Sequence, residues 1–412
     1  MADVGSGFCD LSTGEPVLPT GGFLPIHGNR PFPPLPHDRP VRSDGAYVSR
    51  YCTEGASSRM PFALPRGEWK TRWTAPLDPS MQPEQVLPIG GRHLVPGLRE
   101  WRLFDHNGKL LQGGGLGAGA VTIDAKAGLF YAAHPAGLLM ARKLGDGSLA
   151  YQLFAYGGYA FRRSLLAVRA GTLNVLSEEF LSYPHSAYQP NLTVLESINL
   201  GHPAVSNEQG ILTSAQMKGR LVRHSPSTPA VLHQGRFIAA IEDGIYFFDD
   251  DLRILRAIGG KFVPFTISCD ESGHLRLVVK VDDQTKFWLL NPDGELLGEA
   301  VLRDNPTRYV CPPVAGYDHR TFLVTNGAVL ALAADGQELW RSATPGRAMG
   351  ATVSADGHVL VSAGSQVIAY GENDRGRVLY SSNKGSLATA AVLTVNEELM
   401  VATNEQLICL ST

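Results

Sequence analysis

The sequence predicts an all-β protein: a β-propeller of eight four-stranded blades, or seven if the irregular stretch 161–260 holds one fewer. Three observations carry this. Short apolar, β-branched runs are separated by Asn-Gly and Asp-Gly turns, whose residues tolerate the positive φ that tight hairpins need. The unit recurs at roughly forty-residue spacing, the mark of a repeat architecture. The two ends of the chain each hold an incomplete unit, and the pieces are complementary.

Composition agrees. With 45 glycines and 27 prolines among 412 residues, the chain is rich in turn formers, and 44% apolar residues suffice for a large core. A net charge of −3 gives no bulk electrostatic case for nucleic acid or an anionic membrane. Five scattered cysteines with no CxxC pair suggest neither a disulfide framework nor a zinc site. The first residues, MADVGSGFCDLST, lack a basic flank and an apolar run, and no window is long and apolar enough to span a bilayer. The expected location is cytoplasmic.

Residues 1–65 stand apart from the repeat as a proline-rich extended arm, followed by a propeller over 66–412. The arm holds ten prolines, which fix φ and remove donors. Phe23, Leu24, Ile26, Phe32, Leu35, Tyr47, Tyr51 and Phe62 are anchors that suit an arm laid along its own domain. Arg30–Pro36 also matches the R-x-x-P-x-x-P form that SH3 domains read.

The clearest unit lies in Thr321–Gly346. Phe322–Thr325 runs to the Asn326-Gly327 turn, Ala328–Ala333 returns to Asp335-Gly336, and Glu338–Ser342 goes out again. Turns in the same phase contain Gly108, Gly147, Asp249–Asp251, Gly294, Gly336 and Gly376, with a degenerate one near Gln189–Asn191. Clean glycines sit 39 (108 to 147), 42 (294 to 336) and 40 (336 to 376) residues apart. Seven internal turns and one composite blade make eight. The composite joins Glu68–Pro76, an orphan outgoing strand, to Glu398–Thr412, a unit lacking one.

Ala331–Trp340, with its Asp335-Gly336 turn and following Trp340, resembles the repeat of the PQQ-like (quinoprotein-type, WD40-like) β-propellers. The resemblance implies that this tryptophan packs between neighbouring blades, and Trp73 holds the matching position. It implies the fold and not a cofactor, and none is expected. Leu111, Leu149, Leu255, Leu297 and Tyr380 replace the tryptophan elsewhere.

No local motif declares an active site. Gly113–Ala120 imitates a dinucleotide loop, but a strand pattern follows where a helix should. Asp249–Asp251 lacks the alternating ligands and distal glutamate of a calcium loop. Tyr317-Asp318-His319 is the nearest approach to an acid/base group. The loops entering the blades carry Arg162, Arg163, Lys261, Arg303, Arg308, Arg347 and Lys384, with Tyr159 and His202 assigned to the same set. On the repeat register they share one face and suit an anionic ligand or acidic peptide. The expected function is therefore a non-catalytic, monomeric binding scaffold that engages a protein partner, such as one encoded nearby, or an anionic ligand through its loop face and arm. An enzyme of the hydrolase or lyase class, using Tyr317, Asp318, His319 and the arginines, is the alternative.

Overall fold

The structure is a computed structural model. It describes residues 9–10, 58–97, 100–115, 121–125, 127–134, 138–154, 165–169, 172–179, 192–199, 211–218, 230–233, 236–241, 244–248, 254–259, 262–303 and 309–412. These form eight antiparallel sheets of four consecutive strands: I (87–115), II (121–154), III (165–218), IV (230–259), V (262–301), VI (314–343), VII (348–381) and VIII (392–411). Sheet VIII supplies only three of its own. Its outermost strand is Lys70–Pro76, paired antiparallel with Gln406–Ser411, as the complementary ends predict. Cys9–Asp10 adds a fifth strand outside sheet IV.

The core lies between sheets. One buried cluster runs through sheets VII, VIII, I and II; others join IV to V, V to VI, and VI to VII. The inner strands of sheets V to VIII and I are apolar on both faces because each of these sheets is covered on both sides by a neighbour. Outer strands alternate instead, and Leu110, Leu149, Leu255, Leu339 and Val378 there are exposed.

The outgoing turns wedge the sheets together. Gly108 has a φ of 80°, and a Cβ there would sit 2.5 Å from the ring of Trp73. Only glycine suits that turn, because both the left-handed backbone and the indole exclude a side chain. Trp73 thus packs the closing strand of sheet VIII against sheet I. Trp340 does the same between sheets VI and VII, stacked 5.7 Å from Tyr370. This is the inter-blade position expected for both tryptophans.

Sheet III departs from the expected phase. Leu192–Asn199 is its third strand, paired with both Thr172–Glu179 and Ile211–Lys218, so Gln189–Asn191 precedes the third strand and not the outgoing one. Eight-residue strands and long connections stretch this unit, and no Asp-Gly dipeptide marks its turn.

Closure has an electrostatic pin. A register shift between Thr71 and Trp73 releases Arg72 to pair with Glu398, which is almost fully buried. Arg72→Ala strands that carboxylate and should cost about 1–2 kcal/mol, below the usual range for a broken buried pair because Arg72 is half exposed. Adding Glu398→Gln should recover part of the loss in thermal melts.

His93 of sheet I, 3% exposed, lies 5.6 Å from Trp73, and neither ring nitrogen has a hydrogen-bond partner among the described residues. Burial pushes its pKa down to about 4, against a small upward pull from Asp105. The unfolded chain takes this proton near pH 6.5, whereas the fold resists until about 4. The stability is therefore complete above pH 6.5 and lost as pH falls towards 4, to an extent of roughly 3 kcal/mol. His93→Leu should flatten the denaturant midpoint across that window.

Candidate functional site

Successive connections of a meander alternate between the two ends of its sheet. Turns joining first to second and third to fourth strands emerge on one face of the ring. Connections from second to third strands, and from sheet to sheet, emerge on the other. The first face is where the described residues assemble a site.

The inner turns of sheets V to VIII there are 270–274, 316–320, 354–358 and 394–398. Each closes by local capping, since short polar side chains can replace missing backbone partners. Asp270 Oδ1 accepts from the N–H groups of Ser272 and His274, both at 3.0 Å. Asp318 Oδ1 accepts from the Arg320 N–H, and Ser354 Oγ from the His358 N–H. Thr394 Oγ1 accepts from the Asn396 and Glu398 N–H groups.

Residues 58–64 of the arm lie across these turns. Arg59 forms a parallel bridge with Val353, at the end of the innermost strand of sheet VII. The Met60 N–H donates to the Val353 carbonyl at 2.8 Å, and the Val353 N–H to the Ser58 carbonyl at 2.9 Å. Arg59 is 1% exposed. Its guanidinium donates to the carbonyls of Ala315 and Gly316, both at 2.7 Å, pairs with Glu271, and lies 4.7 Å over the Tyr317 ring. Met60 is fully buried, and its Sδ accepts from the Leu393 N–H. Farther along, Phe62 O accepts from the Ala355 N–H, and the Leu64 N–H donates to Asp356 Oδ1. Four sheets converge on seven residues.

A second buried pair supports this one. Arg276, 1% exposed, donates to Asp270 Oδ2 at 2.6 Å and to Thr321 Oγ1 at 3.1 Å. Burial alone would raise the Asp270 pKa, but the Arg276 guanidinium and local hydrogen bonds overcome it and hold the carboxyl far below the usual range. Asp356 is likewise held low: burial opposes, and hydrogen bonds from His358, Ser354 and the Leu64 N–H prevail. A depressed carboxylate contributes stability that is complete above the unfolded pKa, about 3.9, and fades as pH falls below it. Asp270→Asn leaves Arg276 buried and unpaired by charge, and should cost roughly 3–5 kcal/mol at pH 7. Urea melts at pH 7 and pH 2.5 should show the gap to wild type shrinking at the lower value.

Of the expected site residues, Tyr317, Asp318 and His319 all fall in the inner turn of sheet VI. Tyr317 donates its hydroxyl to the Met60 carbonyl at 3.2 Å. Asp318 pairs with Arg320, which also donates to the carbonyls of Gly371 and Gly357. His319 occupies the left-handed turn position, φ 68°. Each has a place in holding the turn or the arm.

The basic residues divide. Arg303, Arg347 and Lys384 lie between sheets on the opposite face, and all three are exposed. Arg162, Arg163, Lys261 and Arg308, and Tyr159 beside them in the reading, lie outside the described residues. His202 does too, and its grouping with the arginines needs correction. It falls in chain order between Leu192–Asn199 and Ile211–Lys218, third and fourth strands, and not between sheets. The misplaced turn in sheet III caused that error. Gly113–Gly115 ends an outer strand, and the next described residues, Val121–Asp124, are a strand and no helix. Cys269, Cys311 and Cys409 are buried. Burial pushes the Cys269 thiol well up and that of Cys409 up to about 11, which leaves both unreactive.

Sequence reasoning missed the inner-turn face. Its signal was present: Asp270-Glu-Ser-Gly-His274 and Ser354-Ala-Asp-Gly-His358 are one motif, two strands upstream of the outgoing turn.

Comparison with known proteins accords with this geometry. Residues 285–411 match the family model described as outer membrane protein assembly factor BamB. The stretch includes Ala331–Trp340, and the PQQ-like repeat read there is shown. No curated protein matches the chain. Among solved structures, BamB from Moraxella catarrhalis matches with a TM-score of 0.57 at 13% identity, covering 84% of this chain and 100% of that one. The quinohemoprotein alcohol dehydrogenase ADHIIG from Pseudomonas putida HK5 matches with a TM-score of 0.60 at 11% identity, covering 90% and 81% respectively. A computationally designed protein, Ika8, matches with a TM-score of 0.57 at 12% identity, covering 82% and 99%. At such identities the likeness is one of fold.

Proposed function

We propose that this PQQ-like propeller is a non-catalytic binding protein that engages a protein partner through its loop face and its arm. One observation carries the reading. Of the residues best suited to acid/base work, Tyr317 seats the arm, and Asp318 and His319 build the turn. A general acid or base needs its proton or lone pair turned towards a substrate, whereas here the Tyr317 hydroxyl is given to the Met60 carbonyl and the Asp318 carboxylate to Arg320. The charged groups of the same mouth pair with each other, Arg59 with Glu271 and Arg276 with Asp270. The matched family model describes an assembly factor, and a partner-binding role for this chain agrees with that description.

The loop face supplies the contact. Arg303, Arg347 and Lys384 project there from three successive inter-sheet connections, and the sequence adds Arg162, Arg163, Lys261 and Arg308 to the same class of connection. A basic rim favours an acidic surface, and its effect falls with salt.

The test is binding of the purified protein to proteins encoded beside its gene, by interferometry at low and moderate salt. The Arg303/Arg347/Lys384→Ala variant should weaken a specific complex about tenfold, or about 1.4 kcal/mol, and lose much of its salt dependence. A complex indifferent to both the variant and salt would remove the loop face from the reading.

A further inference from the structure

We propose that the inner turns of sheets V to VIII form a peptide-binding cleft. It reads an extended segment with an arginine followed by a methionine, and the chain's own residues 58–64 are its resident occupant. A partner segment of the same chemistry exchanges with them. The proposal deepens the partner-binding reading by naming a site and what it takes.

The division of labour within the contact is that of a peptide groove. Main-chain pairing is short: one parallel bridge with its two hydrogen bonds, and a third from the Ala355 N–H to the Phe62 carbonyl, at the innermost strand of sheet VII and its turn. The closing strand of sheet VIII, by contrast, registers six residue pairs along its length. Specific recognition is concentrated in side chains. The Arg59 guanidinium meets two carbonyls, a carboxylate and an aromatic face, which uses its planar fork of donors and its affinity for a ring together. Lysine has no such fork. Strand addition to a free sheet edge, with pockets for alternate side chains, is a general mode of peptide recognition.

The pocket is built without the arm. The Gly316 N–H donates to the Arg320 carbonyl at 2.8 Å, and the His319 N–H donates to the Gly316 carbonyl, so the turn presenting both carbonyls is closed within sheet VI. The loop carrying Glu271 is held by Asp270, which its own sheet pairs with Arg276. A site preorganised by its own sheets binds without paying to order itself. The arm's exit is also separable, because Arg66, Gly67 and Glu68 are exposed. The covalent tether holds the segment at a high effective concentration, so the intact chain masks the cleft from weak competitors.

The experiment cuts that tether. A specific protease site replaces residues 65–68 in the full-length protein, which is then cleaved and incubated with a labelled peptide of residues 56–66. The arm fragment should remain bound through gel filtration and be displaced by about a hundredfold excess of peptide, with a rise in anisotropy. A peptide carrying Arg59→Ala should bind at least about tenfold more weakly. In parallel, the uncut Arg59→Ala/Met60→Ala protein, checked for folding by thermal melt, should bind the native peptide where uncut wild type does not.

Three results overturn the proposal: an arm that no peptide displaces, an Arg59→Ala peptide that binds as well as the native one, or a cleaved protein that unfolds. If exchange fails while the charged-loop variant still weakens a partner complex, the cleft falls and partner binding stands. If exchange succeeds and the loop variant has no effect, the loop face falls alone.

Discussion

The pairing of Lys70–Pro76 with Gln406–Ser411 is the constraint on which the rest depends. A row of sheets has two open edges and an uncovered apolar face at each end, both of which invite aggregation. Taking the outermost strand of the last sheet from the front of the chain ties the two ends in one ladder. Trp73, carried on that strand, then fills the seam against Gly108 of sheet I. Arg72 pins the same strand to Glu398.

The direction of that strand decides where the arm goes. Lys70 pairs with Ser411, at the end of sheet VIII that bears the turns between third and fourth strands. The chain therefore reaches the closing strand from the inner-turn face, and the residues just before it must cross that face. Residues 58–64 do so at the centre, where the inner strands of sheets V to VIII end. Closure thus places an arginine and a methionine beside four ready-made turns. The opposite face carries the inter-sheet connections, where Arg303, Arg347 and Lys384 are exposed.

Charge at the mouth is arranged in matched pairs. Arg59, Arg276 and Asp270 are removed from water, and each has a partner of opposite sign plus hydrogen bonds to backbone. Without those second contacts the desolvation of Arg59 and Arg276 would outweigh their Coulomb gain. Asp270 and Asp356 consequently titrate well below the ordinary carboxylate range, so both keep their charge at neutral pH. Fixed pairing of this kind suits holding a segment in one register.

The sequence by itself determined the strand–turn–strand unit, its spacing, the phase of most outgoing turns and the complementarity of the two ends. These are local properties: an Asp-Gly or Asn-Gly dipeptide between apolar runs specifies a hairpin within about ten residues. The same locality explains the slip in sheet III, whose long connections carry no such dipeptide, and with it the misplacement of His202. The sequence also exposed the cations between sheets as a class, because loop position follows from the period. Only the tertiary structure decided that Arg59 is buried, since its carbonyl partners lie 256 and 257 residues away. Nothing in a proline-rich arm distinguishes a fully desolvated arginine from a solvated one. Nor does the motif at Asp270 or Ser354 announce that its turns converge, because convergence is a property of how neighbouring sheets pack and of no single repeat.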